Sequence, residues 1–306
     1  MMTKIAMLGL GSMNGAILAG LLESGVSPDD VLATSRSTES AHRRSQQFGV
    51  EVLSPEDGAR LSRAKTGTGA ESSEAIEGSS AEAAYAANRT AAAQAEVVFL
   101  GVKPYQITDV CTEIRDALKP EAVVVSVAAA VTIEMMEAAL VPGQPVIRTM
   151  PNIPLSVGAG VVGLSAGTHV SKQQVEQVAE LLGASGSVHV LDEDQIDALS
   201  AIAGSGPAYA FYLAEHMAAA GAELGLDPRL AAELAAQTLY GAGKMLVENL
   251  GDNDAAQLRR NVTSPNGTTE QAITTFDTDS MGQTIRAGTK AAAARAAEIT
   301  DQLKSE

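Results

Sequence analysis

The chain has no tryptophan, one cysteine and four histidines in 306 residues, and aromatic side chains make up only 3% of it. Each scarcity excludes something. A single cysteine, Cys111, cannot close an intrachain disulfide, which fits a reducing, cytoplasmic setting. Within Val110-Cys111-Thr112 it reads as a small buried hydrophobe rather than a nucleophile. So few aromatics leave no stacking platform for single-stranded nucleic acid. His42, His169, His189 and His216 lie in no recognisable site motif, and no metal is expected. No apolar run reaches the about 18 residues of a membrane span. The stretch from Met1 to Gly9 has too short an apolar core for a secretory signal. Positive charge is also sparse: 21 basic against 37 acidic residues give a net charge of −16. Such a field repels nucleic-acid phosphates, and a small anionic substrate must be captured by a local site instead.

What is present is enough hydrophobic sequence, 45%, and enough length for about two domains. Lys4–Leu8, Asp30–Thr34, Glu96–Val102, Glu121–Val127 and Pro145–Thr149 read as short apolar strands, with a helical pattern over Ala16–Glu23. Gly160–Leu164 and Val188–Leu191 extend the set. Strands alternating with helices give an α/β fold with a mainly parallel sheet. From Asp192 onward the pattern is helical, with long helices over Ala208–Leu224, Arg229–Leu250 and Met281–Leu303. Gly225, Asp227-Pro228 and Gly251-Asp252 punctuate them. The expected domains are therefore 1–191 and 192–306. Pro55–Ala87, with its run Lys65-Thr66-Gly67-Thr68-Gly69-Ala70-Glu71-Ser72-Ser73, is small and polar. It reads as a partly disordered surface insertion.

The first strand ends in Gly9-Leu10-Gly11-Ser12-Met13-Asn14-Gly15. Glycines there permit a tight turn that brings a dinucleotide pyrophosphate onto a helix N-terminus. Asn14 stands where the third glycine of that pattern belongs. The second strand ends in Thr34-Ser35-Arg36-Ser37, where NAD-binding chains carry a carboxylate for the ribose. Hydroxyls and a guanidinium suit a 2′-phosphate instead, so NADP is favoured. The lesser alternative is that Arg36 is simply a solvated surface residue. Gly101-Val102-Lys103-Pro104 closes another strand on the ligand-facing edge. Lys103 either helps neutralise phosphate or is simply exposed. Ser126-Val127-Ala128-Ala129 closes another, with room for a nicotinamide. Ser264-Pro265-Asn266-Gly267-Thr268-Thr269 offers hydroxyls and free amides at a helix start, a receptor for a carboxylate or an ordinary cap.

Together with Met150-Pro151-Asn152 and Gly204-Ser205-Gly206-Pro207-Ala208, these motifs occur in an order that resembles the pyrroline-5-carboxylate reductase family over nearly the whole chain. The resemblance implies a Rossmann-like N-terminal domain and an all-α C-terminal dimerisation domain of the 6-phosphogluconate-dehydrogenase kind. It implies a homodimer, assembled to a decamer, with no nucleic acid or membrane partner. The implied activity is hydride transfer from NADPH, with NADH as a second donor, to 1-pyrroline-5-carboxylate, giving L-proline. Gly9, Leu10, Gly11, Ser12, Met13, Ser35, Arg36, Ser37, Asn88, Gly101, Val102, Lys103, Pro104, Ser126, Ala128 and Asn261 are the implied cofactor residues. Ser264, Gly267, Thr268 and Thr269 would hold the substrate carboxylate, with the Thr269 hydroxyl also serving the ring nitrogen as the catalytic position. The chain departs from the family at Asn266 and Ala130, where glycine is usual, at Gly101, where alanine is usual, and in the 55–87 segment.

A cyclic imine can be protonated before hydride arrives, so the protein need mainly position the reactants. That agrees with the lack of a convincing acid–base residue. A 3-hydroxyacid or 6-phosphogluconate-type dehydrogenase would need a Lys with Asn four residues on. Lys244 has Glu248 there, and Asn249 lies about 100° further round the helix. A non-catalytic NADP sensor is the remaining alternative.

Overall fold

A computed structural model of the chain describes residues 3–66, 79–252 and 254–304. It divides into two compact units. One comprises the described residues up to Gly204 with those from Arg295, and the other runs from Ser205 to Ala294.

The first unit is built on an eight-stranded sheet: β1 (Ile5–Leu8), β2 (Val31–Thr34), β3 (Glu51–Leu53), β4 (Val97–Leu100), β5 (Val123–Ser126), β6 (Val146–Pro151), β7 (Gly160–Ala166) and β8 (Gly186–Val190). Their spatial order is β3-β2-β1-β4-β5-β6-β7-β8, and every neighbouring pair is parallel except β6 with β7. The helices are α1 (Ser12–Glu23), α2 (Thr38–Phe48), α3 (Pro55–Thr66), α4 (Ser79–Gln94), α5 (Ile107–Ile114), α6 (Ile133–Ala139), α7 (Lys172–Gly183) and the one-turn α8 (Ile196–Leu199). Side chains alternate across a strand, and here the alternation sorts two cores. Ile5, Met7, Val97 and Phe99 pack with Ile17, Leu18 and Leu21 of α1 and Val178 and Leu182 of α7. Ala6, Leu8, Val98 and Leu100 pack with Ala91 and Ala92 of α4, Ile107, Val110, Cys111 and Ile114 of α5, and Met136 of α6. Both faces of the central strands are covered, which is why they read as unbroken apolar runs. Burial pushes the Cys111 thiol up to about 12, so it is inert, as expected of a core cysteine.

One expectation is corrected: the short edge strand β3 is one more than the sequence pattern suggests. Where Pro55–Ala87 is described it is helical: α3 occupies Pro55–Thr66, α4 begins at Ser79, and the two helices pack together. Residues 67–78 of that segment lie outside the described residues. The physical reasons are local. Ser54 and Asp57 form a reciprocal cap at the start of α3. The Ser54 N–H donates to Asp57 Oδ2 (3.0 Å), the Asp57 N–H to Ser54 Oγ (3.3 Å), and Pro55 takes the first helical position. The Ser54 backbone N–H is the chief cause of a depressed Asp57 pKa. Alanine, the best helix former, carries α4 onward to Ala91 and Ala92, both fully buried.

Beyond β8, Arg148 of β6 pins the chain to the sheet. It is 5% exposed in its side chain and pairs with Glu193 (3.1 Å) and Asp197 (3.5 Å). Glu193 also accepts the Ile133 N–H. A π-turn over Ser200–Gly204 follows, with the Ala203 carbonyl taking the Asn152 Nδ2 donor (3.0 Å).

The second unit is helical: α9 (Gly206–Glu223), α10 (Pro228–Glu248), α11 (Ala255–Asn261), α12 (Thr268–Thr278) and most of α13 (Met281–Lys304). Asp227 caps α10 with Pro228 in its first turn, and Gly225 and Gly251 adopt left-handed angles just past two helix ends. No helix among the described residues is long and apolar enough to cross a membrane.

Ala130 sits at φ +65°, the left-handed region that costs a residue with a Cβ about 1–2 kcal/mol. Ala130→Gly should therefore raise stability, by about 1 kcal/mol after the extra unfolded-state entropy of glycine is subtracted. The check is the urea midpoint; an unchanged or lowered midpoint means the turn is not strained.

Candidate functional site

The strand order reverses direction between β1 and β4, the place where sheets of this type bind ligands beyond their strand ends. Gly9 lies there at φ +79°, and a Cβ on it would stand 2.8 Å from Val102 Cγ1. Its N–H donates to Thr34 Oγ1 (3.1 Å), and the Leu10 N–H donates to the Thr34 carbonyl (2.9 Å). Its carbonyl accepts from the Gly11 N–H (2.8 Å) and from Asn14 Nδ2 (3.2 Å). Gly11 is the N-cap of α1 and offers no side-chain acceptor, so the first-turn amides of Ser12 and Met13 are left for an anion.

The other residues of this unit expected to contact a cofactor lie toward the same edge. Ser35 follows β2, and its N–H is taken by the Leu53 carbonyl (3.0 Å). Arg36 is exposed and Ser37 caps α2 through the Ser40 N–H (3.2 Å). Asn88, on α4, accepts from Thr34 Oγ1 (2.7 Å) and donates to Glu113 Oε2 (3.3 Å). Gly101, Val102, Lys103 and Pro104 follow β4, with Lys103 exposed. Ser126 ends β5 and Ala128 lies just beyond it. The Ser126 hydroxyl is wholly buried and accepts the Ala128 N–H (3.2 Å).

Asn14, in the place of the third glycine of the dinucleotide pattern, and Gly101 prove to be matched to each other. Asn14 is fully buried, and its carboxamide fills the space that a Cβ at Gly101 would need. A large residue on the helix is thus matched by the smallest on the loop.

Asn261, Ser264, Gly267, Thr268 and Thr269 all lie in the second unit. Asn266 adopts φ +59°, the left-handed angle its amide side chain tolerates. The Gly267 N–H closes the turn onto the Ser264 carbonyl (3.0 Å), and a Cβ on Gly267 would stand 2.9 Å from that carbonyl. Gly267 caps α12 without any side-chain acceptor, so the amides of Thr268 and Thr269 stay free beside their own exposed hydroxyls. Asn261 ends α11 and accepts from Gln257 Nε2 (2.7 Å). The four histidines are all exposed. Lys244 pairs with Glu248 (3.7 Å), and Asn249 bonds back to the Met245 carbonyl (2.8 Å), so the lysine–asparagine pair of a hydroxyacid dehydrogenase is not formed.

What sequence reasoning missed is Glu113 of α5. Burial pushes its carboxyl up to about 7 against the opposing pull of the Asn88 hydrogen bond and of Arg89. Its Oε1 is buried without a partner among the described residues. No motif marks it, since its bond to Asn88 spans 25 residues.

A mainly parallel sheet of this order with an uncapped glycine turn after β1 is the architecture of a dinucleotide-binding domain. Residues 4–130 match the family model "NADP oxidoreductase coenzyme F420-dependent", and residues 193–299 match "Pyrroline-5-carboxylate reductase dimerisation". The pyrroline-5-carboxylate reductase of Pseudomonas aeruginosa is 36% identical over 98% of this chain and 98% of its own length. That of Mycobacterium tuberculosis is 33% identical over 97% of each. The solved structure of a pyrroline-5-carboxylate reductase from Coxiella burnetii superposes with a TM-score of 0.82 at 33% identity, covering 98% of this chain and 99% of that one. The chain belongs to the pyrroline-5-carboxylate reductase family.

The fit of Asn14 against Gly101 predicts a reciprocal effect. Gly101→Ala alone should lower stability by about 1–3 kcal/mol through overpacking and weaken nicotinamide-nucleotide binding. Adding Asn14→Ala should recover most of both, because the two positions share one space. A double-variant cycle in urea reads the coupling; strictly additive losses would show that the side chains do not compete.

Proposed function

We propose that this protein reduces 1-pyrroline-5-carboxylate to L-proline with NADPH, the last step of proline biosynthesis. The observation that carries the reading is the uncapped start of α12. There Gly267, Thr268 and Thr269 present free amides and two hydroxyls to a small carboxylate, in a chain whose overall charge would not attract one.

The residues fit a dinucleotide in the first unit. The Gly9 turn has no room for a Cβ, and the α1 amides are left for the pyrophosphate. Arg36, Ser35 and Ser37 would hold the 2′-phosphate, which favours NADPH over NADH. The remaining assigned positions of this unit, Asn88, Gly101–Pro104, Ser126 and Ala128, would line the rest. Bound NADPH supplies the hydride; the chain supplies binding and orientation. Ser264, Gly267, Thr268 and Thr269 hold the carboxylate, and the Thr269 hydroxyl orients the ring nitrogen. The imine arrives protonated, so no histidine or lysine is required. This is positioning catalysis, and its yield depends on placing the two reactants in contact.

The helical region from Asp192 onward is the dimerisation and substrate-binding domain in this reading, and the residues up to 191 are the NADP domain. The second unit supports self-association: Phe211, Tyr212 and Tyr240 are each about two-thirds exposed, at 65%, 64% and 66%. A homodimer, built up to a decamer, is the assembly proposed, in the cytoplasm.

Supplying 1-pyrroline-5-carboxylate and following NADPH absorbance, with proline detected as product, tests the activity. NADPH binding without consumption would leave the sensor alternative standing. Thr269→Ala should lower kcat/KM for the imine by about a hundredfold while leaving NADPH affinity within about twofold of wild type. Equal loss of both would remove Thr269 from the substrate site. Arg36→Asp should shift preference toward NADH by about tenfold or more, as expected when a charge-assisted phosphate contact becomes a repulsion. Unchanged preference would make Arg36 a solvated bystander. Light scattering fixes the assembly size.

A further inference from the structure

We propose that Glu113 is a positioning residue for the cofactor turn, acting on Gly9 through Asn88 and Thr34. The proposal rests on the reading that the Gly9 turn carries NADPH.

Four groups from four separate elements join in one directed chain. The Gly9 N–H donates to Thr34 Oγ1 (3.1 Å), Thr34 Oγ1 donates to Asn88 Oδ1 (2.7 Å), and Asn88 Nδ2 donates to Glu113 Oε2 (3.3 Å). Direction is set from the Glu113 end. A carboxylate only accepts, so it must face the NH₂ side of the Asn88 amide. That choice turns the Asn88 carbonyl toward Thr34 and makes the Thr34 hydroxyl a donor. The hydroxyl oxygen is then free to accept the Gly9 N–H. Without the carboxylate, Asn88 loses the contact that decides which way its amide faces. An NH₂ presented to Thr34 would leave the hydroxyl hydrogen without an acceptor and put a second donor beside the Gly9 N–H. Bonds in such a chain polarise one another, so the far end feels the loss.

Nothing in core packing requires a carboxyl at this place. α5 buries Ile107, Val110, Cys111 and Ile114, and an apolar residue at 113 would avoid the buried, unpartnered Oε1. The carboxyl is retained at a desolvation cost, and its one hydrogen-bond partner among the described residues is Asn88. Of the charged groups on the helices packed against α5, Arg89 of α4 acts on it, and Glu134 and Glu137 of α6 do not.

The titration gives a signature that a structural role would not. With its proton lost near a pH of about 7, Glu113 offers Asn88 a charge-assisted acceptor only above that point. Cofactor affinity should therefore improve as pH rises through the pKa. Stability runs the other way. A carboxyl whose pKa is raised by folding contributes stability that is lost as pH rises from the ordinary carboxylate range to about 7.

The test is NADPH binding, read by nucleotide fluorescence on the full-length protein, with unfolding by urea in parallel. Wild-type affinity should fall about three- to fivefold from about pH 8 to about pH 6, the weakening of one charged hydrogen bond. Glu113→Gln, whose carbonyl still accepts from Asn88, should bind within about twofold of wild type at the higher pH and lose the pH step. Glu113→Leu should bind about five- to tenfold more weakly, with folding retained. If that variant fails to fold, the glutamine variant and the pH series decide alone. Glutamine and wild type sharing one pH step, or leucine binding as wild type does, would overturn the proposal. Wild-type protein that binds no NADPH at any pH would instead overturn the reading on which it rests.

Discussion

The turn from β1 into α1 is held from both ends of one residue. The Gly9 amide is fixed to Thr34 of β2, and its carbonyl to Gly11 and to Asn14 of α1, at a φ of +79°. No side chain can be added, because Val102 and the Gly101 backbone already occupy the space. The neighbouring strands therefore meet at a residue with no conformational choice left. That fixes where α1 begins and which way its free amides face. It also brings the ends of β1, β2 and β4 to one edge. The positions proposed for the cofactor in the first unit, from Gly9 to Ala128, share that edge because β2, β1, β4 and β5 run parallel side by side.

The same tightness matches Asn14 to Gly101. Where alanine at 101 would be usual, Asn14 has claimed the volume, and glycine at 101 gives it up. The exchange is not free. Asn14 is fully buried and its Oδ1 has no partner among the described residues, an arrangement that costs energy unless it returns something. The return is a second hold on the Gly9 carbonyl. At Ala130 no such exchange is evident: a φ of +65° is simply tolerated by the smallest residue with a Cβ.

Much of this was legible in the sequence. Fully buried parallel strands announce themselves as apolar runs, and seven of the eight were anticipated within a few residues. β3 was not, because three residues at a sheet edge carry too little pattern. The helices α3 and α4 were masked by composition: alanine, serine and glutamate look unstructured when judged by hydrophobicity alone. The sharper signal was Ser54-Pro55-Glu56-Asp57, a capping pattern that outweighs low apolar content at a helix start. At the site, glycine and helix-start motifs were readable because their chemistry is local. The link from Gly9 to Glu113 was not. Its bonds join residues 25, 54 and 25 positions apart, and only the packing of α4 beside α5 brings them together.

The scarcity of aromatics acquires a meaning in the second unit. The chain has five tyrosines and four phenylalanines, and Tyr209, Phe211, Tyr212, Tyr240 and Phe276 all fall between Ser205 and Ala294, each exposed. α9, α11 and α12 bury no residue at all, and α10 buries only Ala231 and Ala235. A protein this poor in aromatics has placed most of them where they contribute nothing to its own core. Large flat side chains are what association surfaces concentrate, and the family model matched here is a dimerisation domain. Stability of this half is then inseparable from the concentration of its partner. The α12 turn proposed to receive the substrate carboxylate is carried on that half, whereas the Gly9 turn belongs to the first unit, with its own buried core.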